Sequence, residues 1–233
     1  LAPRVRLEAR NAVDLYLEAR LSERRFDLVD CDAFGTGSPH SADAWHAVAE
    51  GGLLYLCATD SLTTAGLNPA KALVGYGAVA LRRLPACNEQ GLRLLIGAAY
   101  REAAARSLHA APVFAFFHRE SSTFRVMMRL KEARAPPQSE VRASLQYLAH
   151  CRCCGEVWYV PCDELGVEGR RCQCADESAL RLGGPLWSGP MADPEFVSTM
   201  RRGALGRAEE CEGSEARSWE ETAELLHALE SEA

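Results

Sequence analysis

The 233-residue chain contains no apolar run close to the roughly 20 residues that a membrane-spanning helix needs. Its opening segment, LAPRVRLEAR, has charges where a secretory leader would be apolar. These absences exclude a helical membrane protein and predict a soluble, intracellular one, although they name no compartment. No internal repeat is visible, and only the Glu-rich tail is compositionally biased. The first residue is Leu rather than Met, which is expected of a fragment. What is present is ordinary for a globular protein able to bury a core: 48% hydrophobic and 25% charged residues, in a length that allows one domain or two.

The net charge of −6 is unevenly distributed, because residues 209–233 hold nine Glu against one Arg. The rest of the chain is therefore slightly basic. Basic clusters at Arg24/Arg25, Arg82/Arg83, Arg125/Arg129/Lys131/Arg134 and Arg170/Arg171 are candidates for a nucleic-acid face; solvated arginines on ordinary surfaces are the competing explanation. Of ten cysteines, six lie between Cys151 and Cys174. Clustered cysteines in a leaderless chain point to metal more than to disulfides.

Patterning predicts a helix over 12–25, a short strand over 26–29, a helix over 39–50 ended by Gly51-Gly52, and a buried strand over 53–59. Strand, helix, strand with short connections argues for an α/β fold with a parallel, doubly wound sheet, and both strands stop at aspartates. Ligands bind at such carboxyl-terminal strand ends, so Asp32 and Asp60 would share a rim. A helix over 88–108 and an antiparallel hairpin of strands 112–118 and 123–130 at the sheet edge follow. ARAPP, 133–137, reads as a boundary between residues 1–133 and a smaller, irregular cysteine-rich part, 134–233, that closes with an acidic helix near 218–230.

The stretch LVDCDAFGTG places Asp32, Phe34 and Gly35 at the first strand end. A base amino nitrogen is poorly nucleophilic because its lone pair is conjugated with the ring. An acceptor such as Asp32 that takes its proton localises that pair, a stacking ring such as Phe34 holds the base in line, and Gly35 permits the turn. Taken alone, the pattern is shared with kinase activation loops and with simple Asp caps before a Gly turn.

Five ordered blocks give it context: LVDCDAFGTGSP, GGLLYLCATD, KALVGYGAVALRR, NEQGLRLL and LGGPLWSGPMADPEFV. Together, over most of residues 26–200, they resemble the tRNA (guanine-26-N2)-dimethyltransferase family. The resemblance implies the later half of a Rossmann-like class I methyltransferase sheet, transfer of one or two methyls from S-adenosylmethionine, and tRNA as the partner. It indicates no membrane and no obligate protein partner. It implies that Asp32 and Phe34 are catalytic and that Asp30, Gly35 and Asp60 shape the rim, Asp30 towards the cofactor. Glu8 and Ala9 stand for an Asp-Ala pair near the cofactor adenine. Tyr76, Arg82 and Arg83 are candidates for the tRNA backbone, with a solvated loop as the alternative. Two departures stand out: Ala33 replaces a proline and Asn88 a histidine. The Gly-containing motif and the acidic residue that grip the cofactor in this family would precede residue 1.

Cys151-x-x-Cys154-Gly and Cys172-x-Cys174 form two thiolate pairs suited to a closed, structural zinc site. The resembled family often has two cysteine pairs here. The short second spacing leaves Cys153 and Cys162 open as substitute ligands, and four metal-free thiols are the alternative. Cys31, Cys57 and Cys87 read as buried small residues, His118 as a satisfied strand-end histidine, and Trp187 as a packing residue between the two parts. Three functional hypotheses follow: the tRNA methyltransferase, a catalytically inactive RNA-binding remnant of that family, and an amino methyltransferase acting on DNA or protein, which fits the strand end but not the later blocks.

Overall fold

The computed structural model describes residues 5–36, 38–165, 172–174 and 179–232. The elements run α1 (Ala12–Leu21), β1 (Phe26–Asp32), α2 (Ser38–Ala44), a 3-10 turn at Trp45–Ala47, β2 (Val48–Ala58), α3 (Ser61–Thr64), α4 (Pro69–Tyr76), α5 (Cys87–Ala105), β3 (His109–His118) and β4 (Thr123–Glu132). Then come α6 (Gln138–Ser144), β5 (Leu145–Cys151), β6 (Val157–Pro161), β7 (Leu180–Trp187), α7 (Pro194–Glu210) and α8 (Gly213–Glu232).

The α/β architecture holds, and the first sheet has the order β1-β2-β4-β3. Only β1 and β2 are parallel; β4 is antiparallel to both β2 and β3. The sheet is therefore mixed rather than wholly parallel, because the four-residue connection after β3 reverses the chain and is too short for a crossover. The hairpin forms at the sheet edge as the sequence predicts.

Period-2 alternation divides β2 between two cores. Leu54 and Leu56 stand in register with Met128 and Val126, and with Trp45, Leu94, Leu95, Ile96 and Tyr100 they make the larger core under α5. Leu53 and Tyr55 face the other way with Phe114, Phe116 and Met127, where α7 and α8 contribute Val197, Ala204, Ala223 and Leu226. Of the predicted tail stripe, Leu226 is buried and Leu229 packs beside it, while Leu225 stays exposed.

The second sheet has the order β6-β5-β7. Its Leu148, Leu186 and Trp187 belong to the larger core, so residues on both sides of position 133 share one apolar interior. A separate cluster of Ala149, Cys151, Trp158, Cys172 and Ala179 lies around the cysteines.

Three local expectations change. Gly51-Gly52 does not cap a helix: the helix ends at Ala44, and both glycines lie within β2, where the register with β1 shifts between Phe26 and Leu28. Gly51 has φ +78°, and a Cβ on Gly52 would lie 2.8 Å from the Ala49 carbonyl oxygen, so the irregularity itself requires them. Helix α1 stops at Leu21 rather than Arg25. Residues 134–233 are more regular than expected, because α7 adds 17 helical residues begun by Asp193, whose carboxylate accepts from the Glu195 and Phe196 amides, with Pro194 in the first turn.

Candidate active site and metal centre

Strand β1 alternates strictly at its carboxyl end: Val29 and Cys31 are buried, while Asp30 and Asp32 are exposed. Both acids therefore project from one face of the sheet, beside its open edge. Phe34, two residues on, is fully exposed. Its loop is fastened to the end of β2, since the Gly35 amide donates to Thr59 Oγ1 at 2.9 Å and the Thr59 amide donates to the Gly35 carbonyl at 2.9 Å. Gly35 sits at φ +81° with open space around its Cα, so the position demands conformational freedom rather than small size.

The neighbouring strands complete the face. Asp32 is in register with Cys57 and Cys57 with Arg125; Asp30 is in register with Tyr55. The Arg125 guanidinium donates to the Tyr55 hydroxyl. Partial burial and the adjacent Asp32 carboxylate push Asp30 up from the usual carboxylate range, and Arg125 pulls it back. Burial, then the hydrogen bond and charge of Asp32, push the Cys57 thiol up to about 12. Tyr55 and Arg125 had no assigned role at the strand end. The signal that finds Arg125 is alternation along TFRVMMRLK, which puts Arg125, Met127, Arg129 and Lys131 on one side.

Other candidates are placed differently. Asp60 is buried, and its carboxylate meets Lys71 Nζ at 3.2 Å. Tyr76 is 1% exposed and belongs to the larger core instead of facing a partner; burial, with the Asp60 charge as a minor contribution, raises its hydroxyl to about 12. Arg101 donates to the carbonyls of Tyr76 and Gly77. Arg82 and Arg83 are exposed in the turn after Ala80. Glu8 pairs with Arg6 at 2.7 Å and Arg10 at 3.3 Å, and with Tyr16 and Val29 it lines a cavity of about 250 Å³ along the amino-terminal half of β1. Of the wider basic clusters, Arg129 lies over the Phe196 ring and Arg134 pairs with Glu132, while Arg170 and Arg171 fall outside the described residues. His118 is partnered by Ser121, and Cys87 opens α5 half-buried rather than buried in a strand.

The ligand atoms of Cys151, Cys154, Cys172 and Cys174 all lie within 4.8 Å of one another. Hydrogen bonds from the Cys154 and Cys153 amides lower the Cys151 thiol to about 6 against burial, while hydrogen bonding to Cys154 raises the Cys174 thiol. Four sulfur donors converging on one point suit a tetrahedral zinc ion. Cys153 and Cys162 are exposed and outside this group.

A model of the family described as "N2,N2-dimethylguanosine tRNA methyltransferase" matches residues 5–233. The chain belongs to this family. It is 35% identical over 229 residues to the tRNA (guanine(26)-N(2))-dimethyltransferase of Methanopyrus kandleri, covering 97% of this chain and 54% of that protein. To the enzyme of the same name from Pyrobaculum islandicum it is 34% identical over 175 residues, 75% of this chain and 44% of that one. Among solved structures, Trm1 from Pyrococcus horikoshii in complex with S-adenosyl-L-methionine is similar with a TM-score of 0.74 and 26% identity, over 96% of this chain and 53% of that chain. The chain thus spans about half the length of the relatives it matches. No helix among the described residues is long and apolar enough to cross a membrane.

Proposed function

We propose that the chain carries the methyl-accepting edge of a tRNA (guanine-26-N2)-dimethyltransferase, acting with S-adenosyl-L-methionine on the exocyclic N2 of a guanine in tRNA. The observation that carries the reading is the Asp32–Phe34 pair, an exposed strand-end carboxylate followed by a fully exposed ring on a pinned loop. S-adenosyl-L-methionine supplies an electrophilic methyl on a cationic sulfonium, and the anionic Asp30–Asp32 face suits that charge. Phe34 stacks on the guanine. Asp32 accepts a hydrogen bond from the N2 amino group and takes its proton, so the nitrogen lone pair is freed as the new bond forms. Gly35 gives the loop its turn, Asp60 fixes α4 through Lys71, and Arg82 and Arg83 meet phosphate by charge.

The division of labour follows the sequence: residues 1–133 provide the rim, and residues 134–233 carry a structural zinc on Cys151, Cys154, Cys172 and Cys174. The test is methyl transfer from labelled S-adenosyl-L-methionine to tRNA, with DNA as control and Asp32→Ala alongside wild type. Transfer to tRNA that the substitution abolishes supports the reading, and full activity in Asp32→Ala refutes the role of Asp32. tRNA binding without methylation would identify the RNA-binding remnant instead.

A further inference from the structure

Two carboxylates two residues apart on one strand face stand about 7 Å from each other and repel. Asp30 and Asp32 do so on the exposed face of β1, next to Tyr55 of the apolar sheet face. We propose that Arg125, held by Tyr55, is the positioning residue of this pair: the counter-charge on the third strand that lets both carboxylates stand side by side at the end of β1. The inference rests on the proposed function only for its catalytic meaning, that Asp32 must be free of a proton to accept one.

The geometry is specific. Arg125 occupies the row of Asp32 and Cys57, two strand spacings or about 10 Å from Asp32. Tyr55 occupies the row of Asp30. Because the guanidinium donates to the Tyr55 hydroxyl, it is drawn from its own row towards that of Asp30.

The remaining neighbours do not compete for the charge. Cys57, between Asp32 and Arg125, stays a neutral thiol near pH 7. Tyr55 is neutral as well, since burial raises its hydroxyl and Arg125 only partly offsets this. Behind β1, Tyr16 and Cys31 bond each other at 3.1 Å, and burial raises both. Phe116 is the β3 neighbour in register with Arg125, and α7 and α8 pack apolar Phe196, Met200, Trp219 and Leu229 on this face. Asp30 has Asp32 as the charge that raises it and Arg125 as the charge that lowers it.

The experiment is a carboxyl-carbon NMR titration of Asp30 in the whole chain, which needs neither cofactor nor RNA and so stands or falls apart from the methylation assay. In Arg125→Gln the Asp30 midpoint moves to higher pH, and in Arg125→Lys it stays near wild type. An unchanged midpoint in folded Arg125→Gln overturns the proposal. Should that variant lose its amide spectrum, Tyr55→Phe decides, because it releases the guanidinium while keeping its charge: an upward midpoint supports the proposal, and a wild-type midpoint overturns it. Where methyl transfer is measured, the acid limb of the pH–rate profile shifts upward in Arg125→Gln, which a purely structural loss would not produce.

Discussion

The rings of Tyr100 and Trp187 meet with their centroids 5.1 Å apart at an interplanar angle of 59°, one ring from the long helix of the first sheet and the other from the last strand of the second. The contact is braced at its edges. The Trp187 indole donates to the Pro190 carbonyl at 2.8 Å, and Arg93 donates to the carbonyls of Trp187 and Gly189. Trp187→Ala should therefore cost about 3–5 kcal/mol in urea unfolding. A loss below about 1 kcal/mol would mean that this ring does not join the two sheets.

Phe34 is the converse case, a ring that the fold does not use. Phe34→Ala should leave the urea midpoint unchanged, because its side chain is fully exposed. If it stacks on the target base it should lower kcat/KM for tRNA by the roughly 1–3 kcal/mol of one base–aromatic contact. Equal kcat/KM for variant and wild type would remove Phe34 from the site.

The four clustered cysteines should bind one zinc per chain, measured by elemental analysis of protein purified without chelator. Cys151→Ser, at the buried centre of the smaller cluster, should abolish that binding and lower the melting temperature, because metal affinity is folding free energy in a thin core. A metal-free protein that melts at the same temperature as the zinc-supplemented one would contradict the site.

Asp30 predicts a pH dependence. Its folded-state value is raised, by partial burial first and by Asp32 second, so the folded chain holds the Asp30 proton more tightly than the unfolded one. Such a group adds stability in acid and loses that contribution as pH rises through its folded value. Asp30→Asn, which cannot ionise, should match wild type near pH 3 and be the more stable of the two near neutrality, in urea midpoints taken at both values. A variant less stable by the same margin at both would reverse the sign.

Much of this was legible along the chain. The apolar run Phe26–Val29 announced a strand that ends near its acids, although β1 runs on to Asp32, and the four residues RESS announced a reversal. The cysteine spacing picked out the four sulfurs that converge. The misjudged places share a cause. Gly51-Gly52 follows a helical pattern and so looks like its cap, yet the glycines serve a strand irregularity that only the pairing with β1 creates. Tyr76 sits in a motif that resembles a substrate loop, yet α4 turns its ring into the core.

The sequence by itself determined the α/β class, the family, the strand-end pair Asp32 and Phe34, and the cysteine quartet, because periodicity, turn chemistry and ligand spacing are local properties of the chain. Only the tertiary structure decided which partners those residues meet: Lys71 for Asp60, Trp187 for Tyr100, and Cys57 with Arg125 in the row of Asp32. The physical reason is that spacing along a strand settles which face a side chain takes, whereas register between strands, settled by the packing of whole faces, decides what stands opposite.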